Sequence, residues 1–119
     1  MTFRLGPEDA LQASCMQWHS IQYPNDMIFS VPNGSNKSWA QRIVMKKTGL
    51  RAGVWDLFLP EPRGVYHGLF MELKTKPRKL SPEQVIFGDA VSSLGYKTVG
   101  PIYTFEQYVE AVKEYKSLA

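Results

Sequence analysis

Ser81-Pro82-Glu83-Gln84 is the stretch that most narrows the choice of fold. Ser81 can cap a helix, Pro82 suits the first helical position, and Gln84 can close a capping box. A helix therefore opens here, runs to about residue 94 and stops at Gly95. Strand-like runs stand on either side of it, at 66–74 and 96–100. A chain that sets helices between strands in this way builds an α/β sheet with helices packed on it.

The rest of the chain agrees with that reading. Gly6-Pro7-Glu8-Asp9 opens a first helix, with proline in the first turn and acids near the positive end of the helix dipole. Leu11, Cys15, Trp18 and Ile21 recur at helical spacing, and Tyr23-Pro24-Asn25-Asp26 ends the run. A short strand over 27–32 leads into the turn Pro32-Asn33-Gly34-Ser35. A helix over about 37–48 follows, with Gly49 suited to its C-terminal cap. The strand at 54–60 and the run at 66–74 form a hairpin around Glu61-Pro62-Arg63-Gly64. Thr104-Phe105-Glu106-Gln107 repeats the capping pattern and opens a last helix to about residue 116. The order is α-β-α-β-β-α-β-α, with no internal repeat or linker, so residues 1–119 read as one domain.

Composition removes several classes of protein. The 119 residues are 44% hydrophobic and 21% charged, which suits a globular chain and not a disordered one. No apolar run approaches the roughly 20 residues that span a bilayer. The first residues lack a signal-peptide pattern, which leads to the expectation of a cytoplasmic protein. One cysteine, Cys15, excludes an intrachain disulfide, and with two histidines it makes no structural zinc site. His19 and His67 read as surface or satisfied polar groups, and Trp18 and Trp39 as core or interface residues. The charge balance is 14 basic against 11 acidic residues. That mild excess is compatible with a polyanionic partner without requiring one. Two basic clusters stand out: Lys46, Lys47 and Arg51, and then Lys74, Lys76, Arg78 and Lys79.

Asp56, Glu72 and Lys74 carry the chemistry. Fifteen residues separate the two acids. If their strands pair, both carboxylates can lie on one face, and Lys74 joins them two residues beyond Glu72. Like charges held together are costly unless something compensates them. A hard divalent cation would do so, held by Asp56, Glu72 and the backbone carbonyl of Leu73. Lys74 would then orient water and stabilise charge on a phosphate. On those residues alone a plainer reading stays open, with Asp56 ending a strand and Glu72/Lys74 as a solvent-facing pair.

The fuller string runs from Pro32-Asn33-Gly34 through Gly49-Leu50-Arg51-Ala52-Gly53-Val54-Trp55-Asp56-Leu57 and Gly68-Leu69-Phe70-Met71-Glu72-Leu73-Lys74. It continues through Leu80-Ser81-Pro82-Glu83-Gln84 to Gly95-Tyr96. In that order and spacing the chain resembles the VRR-NUC family, the virus-type replication-repair nucleases of the PD-(D/E)xK superfamily, from Glu8 to about Tyr115. The resemblance implies a restriction-endonuclease-like core, a small mixed central sheet flanked by helices. It also implies a stand-alone nuclease dependent on Mg²⁺ or Mn²⁺.

Residue by residue, Asp56, Glu72 and Lys74 match the catalytic core. Gln84 matches the glutamine of the following helix, although it also serves as a capping residue. Glu8, in Glu-x-x-x-Gln with Gln12, matches an acid that completes the metal shell, although it also suits the helix dipole. The family usually has proline before the aspartate. Trp55 stands there instead, with altered strand geometry or an aromatic contact to substrate as the expected consequence.

No base-reading module is present, so the basic residues point to backbone contacts and structure-selective cleavage. The expected DNA contacts are Asn33, Ser35, Lys46, Lys47, Arg51, Lys76, Arg78 and Lys79. Stand-alone members resemble junction-resolving homodimers. That implies a Holliday-junction-type four-way substrate cut by two symmetric sites, in a bacterial or phage-infected cell. Trp18, Trp39 and the aromatic C-terminal helix supply the apolar surface for a dimer. The alternatives are a catalytically idle nucleic-acid-binding module, for which Trp55 is the argument, and a monomeric flap- or nick-directed nuclease.

Overall fold

The computed structural model describes residues 4–32 and 38–119. Asn33, Ser35 and the expected turn and helix start around them lie outside the described residues. The elements are α1 (Pro7–Gln22), β1 (Phe29–Ser30), α2 (Trp39–Lys47), β2 (Leu57–Leu59), β3 (Leu69–Leu73), α3 (Pro82–Ser93), β4 (Lys97–Ile102) and α4 (Phe105–Lys116). Their order is the one the sequence predicts. Among the described residues no helix is long and apolar enough to cross a membrane.

The four strands form one mixed sheet in the order β1-β2-β3-β4. β1 and β2 pair antiparallel, as do β2 and β3, whereas β3 and β4 are parallel and joined through α3. A parallel pair needs such a crossover, and the Ser81 helix start supplies it. Ser81, Thr104 and also Ser38 each cap a helix through a full capping box, with Gln84, Gln107 and Gln41 reaching back.

Alternation along the strands sends Leu57, Leu59, Leu69, Met71 and Leu73 to one face. There they meet Cys15 of α1 and Tyr108, Val112 and Tyr115 of α4 in the main core. The opposite face carries a chain of aromatic rings, in which Phe58 stacks on Phe70 and Phe70 meets Phe87 of α3 edge-on.

Several expected boundaries are corrected. β1, β2 and β3 are shorter than 27–32, 54–60 and 66–74, and α2 starts at Trp39. The tight turn between β2 and β3 falls later than expected. Arg63 and Tyr66 exchange both main-chain hydrogen bonds around Gly64, whose φ of 56° suits glycine. β4 continues through Pro101, past the expected end at residue 100. Between the Met71–Val99 and Leu73–Ile102 pairs it carries one extra residue. This bulge lies opposite Glu72.

The expected dimer surface is largely consumed within the chain. Trp18 packs edge-on against Tyr23, Phe105 and Tyr108, and the tyrosines of α4 are buried in the core. Trp39 remains exposed.

Candidate active site

Asp56 sits just before β2. The register pairs Leu57 with Met71, so one further antiparallel step sets Asp56 opposite Glu72. Each acid takes a main-chain N–H from the other strand. The Asp56 N–H donates to Oε1 of Glu72 at 2.9 Å, and the Leu73 N–H donates to Oδ2 of Asp56 at 3.1 Å. Glu72 is 2% exposed and Lys74 5%. The Lys74 ammonium stands 3.9 Å from Oε2 of Glu72. The plainer reading of Glu72 and Lys74 as a solvent-facing pair therefore fails.

Gln84 both caps the helix and contacts Glu72, by using the two ends of one amide. Its Oε1 accepts from the Ser81 N–H at 2.9 Å, which closes the capping box. Its Nε2 donates to Oε2 of Glu72, also at 2.9 Å. The capping geometry thereby aims the amide at the carboxylate.

A buried and a half-buried carboxyl this close cannot both ionise cheaply. Burial, and next the charge of Asp56, push Glu72 up to about 8. Burial also raises Asp56, but the Leu73 N–H, the Glu72 carboxyl and Lys74 all favour its anion. The pair therefore holds a proton between its two carboxyls more cheaply than two full charges.

Glu8, in the first turn of α1, faces the same charges. Burial raises its carboxyl, Asp56 raises it further, and Lys74 and Arg78 act against both. Its Oε1 is buried without a hydrogen-bond partner. Yet among the described residues no three acidic, histidine or cysteine side chains gather closely enough to form a metal-binding group.

The model of the VRR-NUC domain matches residues 3–99. The chain belongs to the VRR-NUC family. Two solved structures share its fold. One, a VRR-NUC domain protein, has a TM-score of 0.79 and 23% identity over 98% of this chain and 93% of its own. The other, a VRR-NUC domain, has a TM-score of 0.63 and 18% identity over 93% of this chain and 99% of its own. The comparison with curated proteins finds no match. VRR-NUC is a nuclease-type family, and the mixed sheet flanked by helices is the fold of these structural neighbours.

Within this VRR-NUC chain, Trp55 is not a substrate contact. It is 4% exposed, and its indole N–H donates to the main-chain carbonyl of Gln84 at 2.9 Å. The ring fills space that only glycine leaves open. A Cβ on Gly88 would come within 2.7 Å of it, and one on Gly100 within 3.1 Å. A glycine in the middle of a helix costs about 1 kcal/mol relative to alanine. Gly88 was thus the available signal that something large packs against α3.

The expected DNA contacts fall in different places. Lys76, Arg78 and Lys79 lie on the loop that leaves Lys74, and the Lys76 ammonium sits 5.4 Å from the centre of the Tyr103 ring. Lys46 and Lys47 end α2, and Arg51 follows it; all three are exposed. Arg42, absent from the expected set, lines the same cleft as Lys46 and Arg51. It stands four residues before Lys46, so helical spacing was the signal for it.

His19 is a satisfied core residue. Its ring bonds the Tyr108 hydroxyl at 2.8 Å and Asp26 at 2.7 Å, while His67 is exposed.

Proposed function

We propose that the chain is a divalent-metal-dependent endonuclease that hydrolyses phosphodiester bonds in branched DNA. Four-way junctions are its first substrate, cut by a homodimer. The observation that carries this reading is the pairing of half-buried Asp56 with buried Glu72, with the buried Lys74 ammonium beside it. For stability alone, such an arrangement is expensive.

The residues fit a hard cation. Two crowded oxygen donors hold a proton where a metal ion could replace it, and the buried Oε1 of Glu8 lacks a partner. Asp56, Glu72 and the Leu73 carbonyl would hold Mg²⁺ or Mn²⁺, with Glu8, whose carboxyl feels both Asp56 and Lys74, completing the shell. When bound, the ion would neutralise the pair, engage the scissile phosphate and acidify the attacking water. Lys74 orients that water and offsets charge on the phosphate. Gln84 holds Glu72 by one carboxylate oxygen and so fixes the direction of the other. In-line displacement would leave a 5′-phosphate and a 3′-hydroxyl, as the superfamily resemblance implies.

The test is incubation of labelled four-way junctions with the protein, with and without Mg²⁺ or Mn²⁺. Metal-dependent cleavage, lost in Asp56→Asn and Lys74→Ala while binding persists, supports the enzyme. Binding without cleavage in either metal supports the idle module. Light scattering addresses the assembly. A monomer that cleaves flaps in preference to junctions overturns the homodimer; the half-buried Trp18 and the buried α4 tyrosines are what support that alternative.

A further inference from the structure

A cleft of about 390 Å³ lies between α2 and the segment that leads to Asp56. Among the described residues its lining includes the cations Arg42, Lys46 and Arg51 with the apolar Val31, Leu50 and Val54, and no acidic residue. Among the described residues none of the three cations has a carboxylate partner or a side-chain hydrogen bond. By contrast, Arg63, Lys74 and Lys116 face carboxylates, and Lys76 and Lys97 lie over aromatic rings. Cations gathered without acids repel one another, and a polyanion relieves that repulsion.

Two of the lining residues are tied to the Asp56 end of the acid pair. The Val31 N–H donates to the main-chain carbonyl of Asp56 at 2.7 Å, and Val54 is two residues before that aspartate. The wall of the cleft is also fixed in place. A Cβ on Gly53 would lie 2.3 Å from the Glu83 carbonyl oxygen, so the segment is pressed against the start of α3.

We propose that this cleft binds the sugar–phosphate backbone of the cut DNA strand to one side of the scissile phosphate, with Arg42 as a phosphate contact beside Lys46 and Arg51. The inference rests on the nuclease reading and extends it to the path of the strand. The apolar side chains of the lining suit deoxyribose. Among the described residues of the lining, the three cations are the only side chains with a polar group to meet a phosphate.

The experiment is a salt titration of DNA binding by fluorescence anisotropy, using the full chain with Asp56→Asn to prevent cleavage. The slope of log K against log[salt] falls by about 0.7–0.9 for each phosphate contact removed. Arg42→Gln should lower the slope by about one such step, and Arg42→Gln/Lys46→Gln/Arg51→Gln by about three. Lys113→Gln, on the exposed side of α4, should leave it unchanged. In the chain that retains Asp56, Arg42→Gln should raise KM and spare kcat. A slope unmoved by the triple substitution, in a protein that still binds and cleaves DNA, overturns the cleft and leaves the nuclease reading intact. If the parent protein neither binds nor cleaves DNA, both fall.

Discussion

The indole N–H of Trp55 and the main-chain carbonyl of Gln84 meet at 2.9 Å, and the side chain of that glutamine donates to Glu72 at the same distance. One residue thus ties the approach to β2 to the helix that orients the Glu72 carboxylate. Trp55→Phe keeps a smaller aromatic ring but removes the donor and leaves the Gln84 carbonyl without that partner, and should cost about 1–3 kcal/mol. Trp55→Ala empties the space facing Gly88 and Gly100 and should cost about 3–5 kcal/mol. Urea denaturation measures both. Equal losses for the two variants would mean that the hydrogen bond, not the ring, carries the effect.

That relationship marks the limit of what the sequence discloses. The order of all eight elements was legible because its signals are local. Ser81/Gln84 and Thr104/Gln107 announce helix starts within four residues. Asp56, Glu72 and Lys74 were legible as a set because strand alternation and antiparallel pairing are regular. Strand ends were less so, since β2 and β3 stop where side chains of Asp56 and Glu72 take over the main-chain donors. Trp55 was misread as a possible substrate contact because its partners lie 29 residues or more away in the chain. His19, Asp26, Glu61 and Lys116 form a network whose longest link spans 90 residues, and no periodicity reports such a link.

Glu72 makes stability depend on pH. Its carboxyl lies above its ordinary value of 4.5, at about 8, so the folded protein holds a proton that the unfolded chain releases. The stabilisation from that proton is complete below about pH 4.5 and is lost as pH rises through about 8. In EDTA the melting temperature of the parent should therefore fall relative to Glu72→Gln between pH 5.5 and 9. Divalent metal, which takes the place of the proton, should raise it more at pH 8.5 than at pH 6. Parallel melting curves for parent and variant across that range would remove Glu72 as the source.

Glu8 should trade stability against function. Burial outweighs the attraction of Lys74 and Arg78, so its carboxylate is held at a cost, and its Oε1 has no partner. Glu8→Met replaces it with an apolar chain of similar length. In EDTA the variant should be at least as stable as the parent, by up to about 1 kcal/mol. The rise in melting temperature on adding Mn²⁺ should shrink, and cleavage should need more metal. A variant with unchanged metal dependence would confine Glu8 to the helix dipole.

Lys116 holds the far end of the molecule together. Its ammonium donates to Asp26 at 2.8 Å and to Glu61 at 2.7 Å, and lies 4.6 Å from the centre of the Tyr23 ring. Asp26 in turn bonds His19, so the end of α1, the β2–β3 connection and the end of α4 share one cation. Lys116→Met leaves two carboxylates facing each other without it. The loss should be on the order of 2 kcal/mol, below that of a fully buried pair because Glu61 is about one-quarter exposed. His19 is 11 residues beyond Glu8 on the same helix, or roughly 16 Å at 1.5 Å per residue. The substitution should therefore lower the urea midpoint while kcat for junction cleavage, measured well below that midpoint, stays within about twofold. A large fall in kcat at full folding would show that the network reaches the active site through α1.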